Sequence, residues 1–156
     1  MNEYNFIGID YNWFLSDKYG NISILASAGG FIPSFIYEQI NMHEKLSLYI
    51  MSVPDMCEVK VSTCPNIILE KDANGQTDKY VESFSRFSRK GVFAYDKHDL
   101  EDLFDDKYNL VVTPEKKLKI ESLPLDFFNF IPKIISLKFD EIDFIESASI
   151  VRCVHH

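Results

Sequence analysis

Tyr80, Val81, Phe84 and Phe87 recur about one helical turn apart, and the run closes with Arg86, Arg89 and Lys90 followed by Gly91. The apolar members share one face of a 3.6-residue helix. Cationic side chains in a last turn meet the negative end of the helix dipole, and glycine enters the left-handed position after the helix without a Cβ penalty. The pattern predicts a helix from Thr77 or Asp78 to about Lys90. Val92-Phe93-Ala94-Tyr95 then reads as a strand leaving it. A helix tied to a strand through one glycine is the tightest local constraint in the chain.

Strand signals precede this unit. Asn12 to Ser16 and Asn21 to Ser27 flank the turn sequence Asp17-Lys18-Tyr19-Gly20, which predicts a β-hairpin. In its second strand Ile22, Ile24 and Ala26 alternate with Ser23 and Ser27. Pro33 suits the first turn of a short helix to about Gln39. Asn41 with Glu44 suggests a capping box for a second helix, whose face would carry Met42, Leu46, Tyr49, Ile50 and Val53 before Pro54 stops it.

The remaining signals are shorter. Cys57 to Ser62 alternates weakly, and Ile67-Ile68-Leu69 is an apolar run before a turn at Asp72 to Gly75. Tyr108 to Thr113 reads as a strand ended by Pro114. Leu123-Pro124 introduces the aromatic segment Phe127 to Ile131. Ile134 to Phe139 and Ile142 to Ile150 fit strands, or a strand and a helix. Strands and helices in this order exclude a regular βαβ alternation and predict an α+β fold. The expectation is a single domain over residues 1–154, with a mostly antiparallel sheet packed against two or three helices. His155 and His156 fit the start of a purification tag and are set aside.

At 156 residues the chain is long enough to bury a core without staples. Its net charge of -8 sets its electrostatic character. Nucleic acid and anionic membranes bind through Lys and Arg, so neither is an expected partner. A basic protein is, because opposite charge speeds encounter. Met1 to Asn5 shows no basic region leading into a long apolar run, so no secretory signal is expected. No stretch reaches the ~20 apolar residues of a membrane helix. A cytoplasmic location follows as the expectation.

Chemistry finds little purchase. Cys57, Cys64 and Cys153 are too few and too scattered for a disulfide framework, and no second pair accompanies Cys57 and Cys64 as a metal site requires. His43 and His98 stand alone. Neither a GxSxG elbow nor a phosphate-binding loop is present. Gly29-Gly30 before a helix suggests a tight turn more than an anion cradle. The expectation is no catalytic residue, no metal and no cofactor.

One stretch stands apart. Asp96, Asp99, Glu101, Asp102, Asp105 and Asp106 fall within eleven residues, with Lys97 and Lys107 as the only opposing charges nearby. Leu100, Leu103 and Phe104 interleave at helical spacing, so a short amphipathic helix with an acidic face is expected. Its bland role is a solvated segment packing those three side chains onto the body. Its functional role is a docking surface for a basic partner, with the six acidic residues as the partner-binding set.

Two segments carry a resemblance. One is Trp13-Phe14, Asp17 to Ile22 and Ala28-Gly29-Gly30-Phe31-Ile32-Pro33. The other is Arg89 to Asp96, followed by Tyr108 to Pro114, Leu118 and Leu123-Pro124. Together, over about a third of the chain, they resemble small bacterial immunity-like proteins encoded beside polymorphic toxins of the Rhs type. The stretch from Lys97 to Lys107 is longer than the resemblance implies, which makes it the candidate partner-specific part. The resemblance implies a protein that binds and neutralises the C-terminal toxin domain of a neighbouring effector by occluding a basic active-site cleft. The alternatives are a small-molecule-binding domain or small enzyme with a cleft near Gly29-Gly30, and a generic adaptor.

Overall fold

The computed structural model describes residues 7–62, 76–134, 138–142, 144–146 and 154–155. The Ile67 to Leu69 run, the turn at Asp72 to Gly75, Cys64 and Cys153 lie outside them.

The hairpin forms where its turn chemistry places it. Strand β1 spans Asn12–Asp17 and β2 spans Ile22–Ala26, paired antiparallel. Asp17 makes the turn. Its carboxylate accepts the Tyr19 and Asn21 N–H groups and the Asn21 side-chain amide, each at 2.9 Å, and the distant Phe139 N–H at 3.1 Å. A buried carboxylate is tolerated because its lone pairs are met. Gly20, with φ +81, supplies the left-handed residue before β2.

Both faces of the hairpin are buried. Trp13, Leu15 and Leu25 lie on one face; Phe14, Ile22 and Ile24 lie on the other. Ser23, which the alternation would place on a polar face, is fully buried. A sheet covered on both faces loses the apolar–polar alternation of a half-exposed one.

The other strands are β3 (Val59–Val61), β4 (Phe93–Lys97), β5 (Lys107–Pro114), β6 (Lys133–Ile134), β7 (Phe144–Glu146) and β8 (Val154–His155). They build one sheet in the order β3-β5-β4-β2-β1-β6-β8, with β7 also paired to β5. β2 runs parallel to β4 and β1 parallel to β6; the other pairs are antiparallel. β3 covers one end of the β5 edge and β7 the other. His155, set aside as tag, pairs with Lys133.

Among the described residues, four α-helices flank the sheet: α1 (Ser34–Tyr37), α2 (Ile40–Ser52), α3 (Gln76–Ser88) and α4 (Leu125–Phe130). The fold is α+β in one domain, as expected, with a mostly antiparallel sheet. The core on the Trp13 face closes with Ile32, Ile36, Phe139 and Ile145. On the Phe14 face it closes with Leu46 and Ile50 of α2, Phe87 of α3, and Leu123 and Ile131.

Two details of α2 differ from expectation. Gln39 occupies the N-cap with no side-chain bond, so the Asn41 box does not form. The buried face is His43, Leu46 and Ile50, with Met42 beside it. His43 is a core residue because its Nδ1 accepts the Phe14 N–H at 3.0 Å. Helix α3 follows its pattern closely. Gly91 has φ +94, and a Cβ there would lie 2.5 Å from the Leu118 backbone nitrogen.

Candidate docking loop

The acidic stretch folds as the connection between β4 and β5, not as a helix. β4 continues through Asp96 to Lys97, which pairs with Tyr108, and the His98 N–H donates to the Lys107 carbonyl at 2.9 Å. A hairpin closed by paired strands leaves residues 99–106 as loop. Aspartates favour that outcome, because their short carboxylates compete for nearby backbone N–H groups and draw the chain out of helix.

The competition is visible bond by bond. Asp99 accepts the Glu101 N–H at 3.0 Å, and Asp102 accepts the Phe104 N–H at 3.0 Å. Asp105 spans the loop, accepting the Asp99 N–H at 2.9 Å and the Lys107 N–H at 3.3 Å. Two further bonds tie the loop to the body: Phe31 N–H to the Leu103 carbonyl at 2.7 Å, and Lys97 Nζ to the Asp105 carbonyl at 3.0 Å.

Lys97 has a buried side chain that crosses Gly30. A Cβ at Gly30 would sit 2.2 Å from its ammonium nitrogen. Burial lowers its pKa, while the charges of Asp105, Asp102, Asp99 and Asp106 pull the other way. The neighbouring turn is tight: Ala28 and Gly29 have φ of 51° and 78°, and the Gly30 N–H bonds to the Ser27 carbonyl at 2.9 Å. The missing side chain at Gly30 makes room for Lys97 beside the tight turn expected there.

The six acidic residues therefore separate. Asp96 is 6% exposed, and its carboxylate accepts the Tyr80 hydroxyl and the Lys97 N–H. It faces α3 inside the protein and is not a surface group. Asp99, Glu101 and Asp102 are exposed, and Asp105 and Asp106 are half-buried. Leu100, Leu103 and Phe104 are 45%, 38% and 62% exposed. Large apolar side chains raised from a charged loop are the part of this surface that stands out. Their spacing in the sequence matched a helix, so only the loop geometry reveals them as outward-facing.

Among the described residues, depressions also lie away from this loop. One, of about 200 Å³, is bounded by Asp10, Asn12, Ile24 and Ala26 on one side and Ser83, Phe84 and Arg86 on the other. The second, of about 440 Å³, is open to solvent and lined by Asp55, Cys57, Arg89 and Lys116. The Cys57 thiol there lies 3.5 Å from the Ser88 and Lys116 carbonyls. Among the described residues no three His, Cys, Asp or Glu side chains are placed to share a metal ion. No helix among the described residues is long and apolar enough to cross a membrane.

The fold thus defines a small α+β protein with an acidic, apolar-tipped hairpin loop. No family model matches the chain, and searches of curated proteins and of solved structures find no match.

Proposed function

We propose that this is an immunity protein that binds a cognate antibacterial toxin domain, the C-terminal part of an effector encoded beside it, and blocks its active site. One observation carries the reading: Leu100, Leu103 and Phe104 stand exposed on a braced acidic loop, in a chain of net charge -8. Apolar anchors ringed by charge are how a protein surface combines affinity with fast, selective encounter. The acidity favours a toxin with a basic cleft, as enzymes acting on phosphate-bearing substrates need. The role is stoichiometric inhibition in the cytoplasm, with no catalysis and no cofactor.

A small-molecule site is the second reading, and the 200 Å³ cleft with Asp10, Asn12, Ser83 and Arg86 is the observation that favours it. Its volume falls below the roughly 300 Å³ at which small-molecule sites begin, and the 440 Å³ depression beside Asp55 is open to solvent, so the protein-binding reading stands first.

The experiment is co-expression with the toxin domain encoded next to the gene. Growth rescue with a co-purifying complex is the expected result. Undiminished toxicity with a folded protein and no complex would remove the reading.

A further inference from the structure

The loop divides into parts with different jobs. Asp99, Asp102 and Asp105 each hold one or more loop N–H groups on their carboxylates. The Leu103 carbonyl and the Asp105 carbonyl tie the loop to Phe31 and Lys97. This bracing leaves Leu100, Leu103 and Phe104 outside, at 45%, 38% and 62% exposure. Glu101 is exposed between them.

Resting on the immunity reading, we propose that the β4–β5 loop docks by its apolar tip. Leu100, Leu103 and Phe104 enter an apolar notch on the toxin domain. Lysines or arginines around that notch face Glu101. Asp99, Asp102 and Asp105 set the shape of the loop and contribute little direct affinity; Asp96 takes no part.

Charge decides the occupant. A second copy would bring two acidic loops, each on a body of charge -8, against one another, and like charges in a closing interface oppose association. An anionic lipid surface or a nucleic acid meets the same repulsion. A cationic protein surface with an apolar centre meets none of it. Rigidity adds to the case. A loop already held by its own carboxylates loses little conformational entropy on binding, which favours tight association from a small contact.

The test has an arm without the partner and an arm with it. In the isolated protein, hydrogen exchange is followed at the Asp99, Phe104 and Lys107 amides. Asp105→Ala should speed exchange at Asp99 and Lys107, whereas Leu100→Ser/Leu103→Ser/Phe104→Ser should leave the Phe104 and Lys107 amides protected. Unchanged protection in Asp105→Ala would overturn the bracing role.

In the second arm, binding kinetics to the toxin domain are measured at low and high salt. A central anchor is worth roughly 30-fold or more in affinity. The triple tip variant should therefore bind at least about 100-fold more weakly, chiefly through faster dissociation. Glu101→Lys should slow association roughly threefold to tenfold at low salt and little at high salt. Wild-type affinity in a folded tip variant would sink this inference while leaving immunity intact. A wild-type protein that neither binds nor protects would sink the immunity reading, and the docking proposal with it.

Discussion

The Phe14 N–H donates to His43 Nδ1 at 3.0 Å, and the two rings lie within 3° of parallel. Phe14 sits in β1 before the strand begins pairing with β6 at Ser16, so its N–H has no strand partner on that side. An imidazole from α2 fills the gap. Accepting through Nδ1 requires the proton on Nε2, which is buried without a hydrogen-bond partner among the described residues. The edge of Phe130 closes over the ring at 4.8 Å. The histidine is thus a neutral core group that terminates an unpaired stretch of strand.

That arrangement makes stability depend on pH in a known direction. Burial pushes the His43 pKa down to about 3, against 6.5 for an ordinary histidine. The unfolded chain takes up a proton below 6.5 that the folded chain refuses. The contribution is therefore complete above about pH 6.5 and is lost as pH falls towards 3. At pH 5 the loss should be about 2 kcal/mol, from 1.5 pH units at ~1.36 kcal/mol each. Urea unfolding at pH 7.5 and pH 5 measures it. His43→Leu should flatten this component and lower stability at pH 7.5 by about 1–3 kcal/mol, because the Phe14 N–H is then buried and unmet. An equal pH response in both proteins would assign the effect elsewhere.

Asp17 should be among the costliest single residues. Its carboxylate is the shared acceptor of three local donors and of the Phe139 N–H from another segment. Asp17→Ala leaves buried donors unpaired and opens the contact between the hairpin and Phe139. A loss of about 3–5 kcal/mol is expected by chemical denaturation. Asp17→Asn keeps one acceptor oxygen and should cost less. Equal and small effects from both would show that water replaces the carboxylate.

Two glycines with left-handed backbones should respond differently to alanine. At Gly91 the added Cβ would meet the Leu118 backbone nitrogen at 2.5 Å, and at Gly20 it would meet the Glu121 carboxylate at 2.8 Å. A side-chain carboxylate swings aside; a backbone nitrogen in a closed connection does not. Gly20→Ala should cost about 1 kcal/mol, the backbone strain alone. Gly91→Ala should cost roughly 2–4 kcal/mol, since strain and overpacking combine. Melting temperatures of the two variants provide the check.

The contrast between these sites explains what could be read in advance. The hairpin turn and the end of α3 announce themselves because Asp17, Gly20 and Gly91 act on residues within a few positions. Leu46 and Ile50 of α2 lie on the face their spacing predicts, but His43, which shares it, is polar, and its burial depends on an N–H supplied by a strand far away in the chain. The sheet order likewise rests on distant partners, such as β1 with β6. In the acidic stretch, the spacing of Leu100, Leu103 and Phe104 imitates a helix, and only the carboxylate-to-backbone bonds reveal a loop. Charge density alone gave no hint that Asp96 points inward while its neighbours face solvent.

Asp96 offers the sharpest separation of stability from binding. The Tyr80 hydroxyl donates to its carboxylate, fastening α3 to the end of β4. Asp96→Ala removes that acceptor and leaves the half-buried Tyr80 hydroxyl and the buried Lys97 N–H without it, so stability should fall by about 1–3 kcal/mol. Tyr80→Phe should fall by about 1 kcal/mol, and the double variant should lose less than the sum, because both changes break one bond. Below the melting temperature, Asp96→Ala should bind the proposed toxin partner as the wild type does, since the carboxylate is buried against Tyr80. A folded Asp96→Ala protein with weakened binding and an unchanged melting curve would return this residue to the interface and overturn its assignment to the core.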